Sequence, residues 1–172
     1  SMYQTGENDR RLANDFRPEI HDSDGLAMWT GGGEWIWRPL ENPRHLRYNV
    51  YADNRPRGFG LLQRDRIFDH YQDDGVFYDR RPGVWVEPKG DWGPGGVVLV
   101  ELPTADETFD NIVAFWQPEK PPEAGDELLH AYRLHWGAKP PVVPPLATVM
   151  ATRTGLGGVV GNRREYFSWR FA

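Results

Sequence analysis

Apolar and polar positions alternate with a period of two along much of the 172-residue chain, and the alternating stretches are punctuated by Gly, Pro and Asn. Long 3.6-residue periodicity is missing, so the pattern predicts strands rather than amphipathic helices. In residues 46–51 the alternation places Leu46, Tyr48 and Val50 on one face. Residues 95–102 read as a valine-rich buried strand, and residues 112–116 as another, stopped by Pro118. The longest run, residues 128–136, aligns Leu128, His130, Tyr132, Leu134 and Trp136. Near the end, Phe167, Trp169 and Phe171 share one side of a strand over residues 165–171. Gly31-Gly32-Gly33 separates Ala27-Met28-Trp29 from Glu34-Trp35-Ile36-Trp37, which predicts a hairpin whose glycines supply positive φ.

Two stretches break the rhythm. Ile67, Phe68 and Tyr71 have a spacing that fits one or two helical turns on a long loop over residues 63–74. Residues 139–145, Lys-Pro-Pro-Val-Val-Pro-Pro, cannot be an interior strand because prolines donate no ladder hydrogen bonds. They predict an extended connector between an upstream β region, 1–138, and a short tail, 139–172. The fold class is all-β, an antiparallel sandwich. Alternation runs to Phe171-Ala172 with no closing turn, the expectation for a chain cut in mid-strand.

Composition narrows the partners. With 39% apolar and 26% charged residues the chain can build a core. A formal charge of −5 argues against a nucleic-acid-binding face. No run of about 18 apolar residues exists to span a membrane, and the absence of cysteine excludes disulfides and thiolate metal sites. The 8 Trp, 7 Tyr and 8 Phe change the picture most, since indole faces suit sugar rings as well as cores. Trp35 and Trp37 share a strand face, which also fits simple core packing.

Candidate chemistry rests on carboxylates. His21-Asp22-Ser23-Asp24-Gly25 sets two of them just before a strand; it lacks the further ligands of a calcium loop, and a turn capped by Asp side chains is the plainer reading. Asp106, Glu107 and Asp110 lie on a short loop between two apolar strands, where catalytic carboxylates often sit. A glycosidase needs one protonated and one ionised carboxyl group, although an acidic loop in solvent has the same spacing. The histidines His21, His45, His70, His130 and His135 show no zinc pattern, and neither a phosphate loop nor a serine nucleophile elbow is present. No metal or cofactor is expected.

Several longer motifs point one way. Residues 16–26 (Phe-Arg-Pro-Glu-Ile-His-Asp-Ser-Asp-Gly-Leu), 33–40 (Gly-Glu-Trp-Ile-Trp-Arg-Pro-Leu) and 58–66 (Gly-Phe-Gly-Leu-Leu-Gln-Arg-Asp-Arg) come first. Arg81-Pro82, Trp85-Val86-Glu87-Pro88, Glu107-Thr108, Asp110-Asn111-Ile112-Val113 and residues 115–120 follow in order. In these the chain resembles the osmoregulated periplasmic glucan biosynthesis proteins of types G and D, and residues 150–155 lean toward type D.

The resemblance implies a longer protein: a signal peptide, a large sandwich similar to galactose mutarotase, and a C-terminal immunoglobulin-like domain. This chain would be the later part of the large sandwich, followed by the connector and first strand of the missing domain. It implies the periplasm, a β-1,2-linked glucan as partner, and an inverting endo-β-1,2-glucanase, with a homodimer for the full-length protein. On the family pattern Asp110 would be the general acid, Asp22 the base, and Tyr78 a relay between the attacking water and that base. Such a relay would bridge more than the usual inverting separation of about 6.5–9.5 Å. Glu107 would orient substrate, with Trp35, Trp37, Arg81 and Trp85 as further binding residues. Asp110 would need burial or a carboxylate neighbour, Glu107 or Asp106, to stay protonated. Asp24, Arg38 and Arg81 are the groups expected to bear on Asp22. Two other readings share the resemblance: a glucan-binding protein that assists synthesis or branching without cleavage, and an inactive fragment of the enzyme.

Overall fold

The computed structural model describes residues 1–5, 19–71, 75–105, 108–145, 152–159 and 162–171. Strands β1 (Tyr3–Thr5) and β2 (Glu19–His21) form a small antiparallel pair. Strands β3 (Gly25–Trp29) and β4 (Trp35–Pro39) are the predicted hairpin, and Gly33 takes the left-handed φ of 92° that its turn requires. Then follow β5 (Arg47–Asn54), β6 (Gly58–Leu62), β7 (Gly83–Lys89), β8 (Pro94–Glu101), β9 (Ile112–Pro118) and β10 (Ala131–Gly137). Single 3₁₀ turns at Phe68–His70 and Tyr78–Arg80 interrupt the β6–β7 connection. The first of these falls on the helical spacing of Ile67, Phe68 and Tyr71.

Two antiparallel sheets result, one with strand order β10-β7-β6-β3-β4 and the other with order β5-β8-β9. Leu26, Met28, Phe59 and Leu61 from the first pack with Val97, Leu99 and Ile112 from the second, and Leu40 joins them. Period-2 alternation directs these side chains inward, and each contributes about 1.5–3 kcal/mol by leaving water. The chain is therefore an all-β sandwich. A buried ion pair crosses it: Arg38 on β4 donates from Nη2 to Glu101 Oε2 on β8 at 2.9 Å, and the Glu41 backbone N–H donates to Oε1 at 2.8 Å.

The far face of the five-stranded sheet is paved with indoles. Register sets Trp37 beside Ala27, Ala27 beside Gly60 and Gly60 beside Trp85, alternating large and small across the strands. The small residues make room. A Cβ at Gly25 would lie 2.0 Å from Trp37 Cζ2, and one at Gly58 would lie 2.3 Å from Trp85 Cζ2.

The structure also assigns faces that alternation leaves open. Leu46, Tyr48 and Val50 point away from the core and are more than half exposed, while Tyr51 faces inward. Leu134 and Trp136 are exposed too, because β10 is the edge strand of its sheet. No strand occupies residues 138–145, in keeping with the proline connector. Beyond it, where one strand was expected, β11 (Thr152–Val159) and β12 (Asn162–Phe171) form a hairpin. Gly155 and Gly157 interrupt apolar alternation in β11, which hides that strand from a pattern reading. Among the described residues no helix is long and apolar enough to cross a membrane.

Candidate functional site

The turn bearing Asp22 and the loop bearing Asp110 both contact residues Ser1 to Tyr3. Asp22 follows β2, and its Oδ1 accepts hydrogen bonds from Ser1 Oγ at 2.7 Å and from the Met2 backbone N–H at 2.8 Å. Its own backbone N–H donates to the Met2 carbonyl at 3.2 Å. Asp110 lies just before β9, with Oδ1 3.5 Å from the Ser1 amino nitrogen. The next residue fixes that loop. Asn111 is fully buried; its Oδ1 accepts from the Tyr3 N–H at 2.8 Å, and its Nδ2 donates to the Tyr3 and Leu102 carbonyls at 3.1 and 3.0 Å. Residues Ser1 to Tyr3 are thus held between the Asp22 turn and the Asp110 loop.

Tyr78 enters from the β6–β7 connection. It is buried in a cluster with Met2, Ile20 and Tyr71, and its ring stacks on Tyr71 at 6.1 Å. Tyr71 in turn meets the His21 ring edge-on at 5.2 Å. The residue before Tyr78, Phe77, has φ 56° and ψ 56°, a left-handed conformation that is strained for a bulky side chain. Arg81 holds its guanidinium 5.6 Å from the centre of the Tyr78 ring and donates from Nε to the Val76 carbonyl at 3.2 Å. The segments bearing Asp22, Asp110 and Tyr78, scattered in sequence, therefore share one locality.

A buried polar network underlies it. Gln63, 1% exposed, bonds to His21, Tyr71 and Tyr78, and the Tyr71 hydroxyl donates to the Asp65 carbonyl at 2.6 Å. Burial, then the nearby Glu19 carboxylate, pushes the Tyr71 and Tyr3 phenols well above their ordinary values, so both stay protonated donors. Burial also raises the Asp24 carboxyl, although Asp24 Oδ2 accepts from the Asp65 N–H at 3.0 Å. Asp24 Oδ1 is buried with no hydrogen-bond partner among the described residues.

The other site candidates fall elsewhere. Trp35 stacks between Trp29, at 5.2 Å, and Trp85, at 5.7 Å. Trp85, a member of the same layer, is 1% exposed. Trp37 carries the Arg64 guanidinium 3.4 Å above its ring. These tryptophans cluster with Ala27 and Leu62, separately from the Tyr78 cluster. Arg38 is committed to Glu101 rather than to Asp22. Asp110 is 79% exposed, so the burial expected of it is not found; Asp106 and Glu107 lie outside the described residues.

Among the described residues Glu19, Asp65 and His70 bring possible metal-ligand atoms within 4.8 Å of one another. Hydrogen bonds account for Asp65: Oδ1 accepts from the Ile67 N–H at 3.0 Å, and Oδ2 faces His70 Nδ1 at 2.7 Å. Sequence reasoning passed over Gln63 and Asn111, the two amides that tie the locality together. Their signal is a polar residue abutting an apolar strand, as in Leu61-Leu62-Gln63 and Asn111-Ile112-Val113.

Comparison with known proteins places this sandwich in a family. The family model described as "Periplasmic glucan biosynthesis protein, MdoG" matches residues 1–172, and the chain belongs to that family. Among its relatives are proteins named "Glucans biosynthesis protein D". That of Stenotrophomonas maltophilia (strain K279a) and that of Xanthomonas campestris pv. campestris (strain B100) are each 73% identical over the whole chain. The Xanthomonas oryzae pv. oryzae (strain PXO99A) protein is 71% identical. In each case the match covers 100% of this chain and 32% of the relative, so the chain spans about a third of their length.

Proposed function

We propose that this chain is the acid–base portion of a periplasmic protein that hydrolyses β-1,2-linked glucan with inversion. The observation that carries the reading is that residues Ser1 to Tyr3 join the Asp22 turn, through Ser1 Oγ and the Met2 N–H on Asp22 Oδ1, to the Asp110–Asn111 loop, through the Ile112 N–H on the Ser1 carbonyl and the Asn111 side chain on Tyr3, with Tyr78 in one buried cluster with Met2. Asp110, mostly exposed and so open to a bound sugar, is the acid that protonates the leaving oxygen. Asp22 is the base. Its Oδ1 accepts two hydrogen bonds, which fix the carboxylate's orientation. Tyr78 passes the proton from the attacking water toward Asp22, and Arg81 beside the Tyr78 ring and the Trp35–Trp37 face bind sugar. The full-length protein works as a homodimer in the periplasm, on a substrate of β-1,2-glucan.

Replacing Asp110 by Asn in the full-length protein tests this. Release of reducing ends from β-1,2-glucan should fall by about three orders of magnitude or more, the loss expected without general-acid assistance. Undiminished turnover would refute the assignment. A second reading, glucan binding without cleavage, is favoured by the exposure of Asp110. It predicts tight oligosaccharide binding by the wild type with no product after long incubation.

A further inference from the structure

Gln63 sits at the junction of the segments that carry Asp22 and Tyr78. It follows β6 directly and is 1% exposed. Its Nε2 donates to the His21 carbonyl at 2.9 Å and to the Tyr78 carbonyl at 3.1 Å, and approaches the Tyr71 hydroxyl at 2.7 Å. Carbonyl oxygens only accept, so these two contacts fix which way the amide points. Oε1 must then face His21 Nδ1, at 2.9 Å, and since Oε1 also only accepts, Nδ1 is the protonated nitrogen. The Tyr71 hydroxyl directs its own proton to the Asp65 carbonyl, so toward Gln63 it is an acceptor that shares one of the two Nε2 protons with a carbonyl.

Every polar atom of this side chain is therefore committed to the segments at positions 21, 71 and 78. Filling a buried site does not require that; an apolar residue of similar size would fill it without a network that must be fully satisfied. The backbone on the Tyr78 side is strained at Phe77, and strain of this kind persists only where the surroundings over-determine it. The Gln63–Tyr78 hydrogen bond is one of the restraints that does so.

We infer that Gln63 is a positioning residue that sets the separation between the Asp22 turn and the Tyr78 turn, and through it the base–relay geometry. The inference rests on the hydrolytic reading for its catalytic consequence, but not for its structural one. Misplacement by about 1 Å can cost on the order of a hundredfold in rate.

The test uses the full-length protein with Gln63→Leu, which keeps the bulk and removes the amide, and with Gln63→Glu. For Gln63→Leu, kcat should fall about 10–100-fold with KM within about twofold and a cooperative melt retained. The activity of Gln63→Glu relative to wild type should rise as pH falls and the carboxyl, shifted above the usual carboxylate range by burial, gains a proton and so regains a donor. A kcat within about twofold of wild type, or one that falls only in proportion to the folded fraction with no pH dependence in Gln63→Glu, would overturn the inference. A crystal structure of Gln63→Leu gives a readout that does not depend on turnover: Asp22 and Tyr78 should separate or approach by about 1 Å. If they superpose on wild type, Gln63 does not position them. If they move while the wild-type protein and Asp110→Asn alike release no sugar, the hydrolytic reading fails and the positioning role stands.

Discussion

Arg38 and Glu101 form an ion pair across the interior of the sandwich, Nη2 to Oε2 at 2.9 Å, with the Glu101 side chain wholly removed from solvent. Burial raises the Glu101 carboxyl above the usual carboxylate range, and Arg38 opposes that shift. Removing one partner of such a pair leaves an uncompensated charge. Arg38→Leu should destabilise the full-length protein by about 3 kcal/mol in denaturant unfolding near neutral pH. The sign of the pH dependence follows from linkage. A carboxyl whose folded value lies above its unfolded value of about 4.5 lowers stability as pH rises through that window. Without Arg38 the folded value rises further, so the Arg38→Leu deficit should grow from about pH 4 to about pH 7. A deficit that does not change with pH would mean that the charge is not what Arg38 balances.

Asn111 should behave as a clamp on β1. Asn111→Ala leaves the Tyr3 N–H and two carbonyls without their partner, a loss of about 1–3 kcal/mol for buried groups. Amide exchange at Tyr3 should quicken while the Val97–Leu99 core stays protected. Equal loss of protection in both places would show that the amide supports the whole sandwich.

The indole layer makes a packing prediction. Gly25→Ala drives a methyl group into Trp37, so overpacking should cost about 1–3 kcal/mol. Trp37→Leu in the same chain should recover most of that. Failure of the second change to rescue the first would place the strain in the backbone instead.

Glu87 gives an acid-range marker on the sheet surface. Hydrogen bonds from Lys89 and then His135 bring its carboxyl down to about 2 from an ordinary 4.5. Its contribution is thus present above about pH 4.5 and is lost as pH falls toward 2. In Lys89→Met the Glu87 titration, followed by carboxyl NMR, should move up toward the ordinary value. An unmoved titration would assign the effect to His135.

Much of the fold was legible because strand alternation is a local property. The β3–β4 hairpin, the buried β8, the β9 strand ending at Pro118 and the proline connector all follow from period-2 patterning and backbone chemistry. The residue motifs around Asp22, Tyr78 and Asp110 were equally local, and they carried the family resemblance across the chain. The hairpin partner β11 was not legible, because glycines stand where apolar residues would have marked it.

Tertiary structure decided what alternation cannot. A strand with apolar residues on one face does not say which face meets a second layer. Leu46, Tyr48 and Val50 look like core by pattern, yet the layer order turns them outward and faces Tyr51 of the same strand inward. Likewise a carboxylate's chemistry depends on neighbours far along the chain. Only folding brings Ser1 to both Asp22 and Asp110, gives Arg38 to Glu101, and sets the Gln63 amide between His21 and Tyr78. The sequence by itself determined an all-β chain with its strands, turns and acidic motifs, since each depends on residues a few positions apart. Which faces are buried and which groups hold one another in place are consequences of long-range packing.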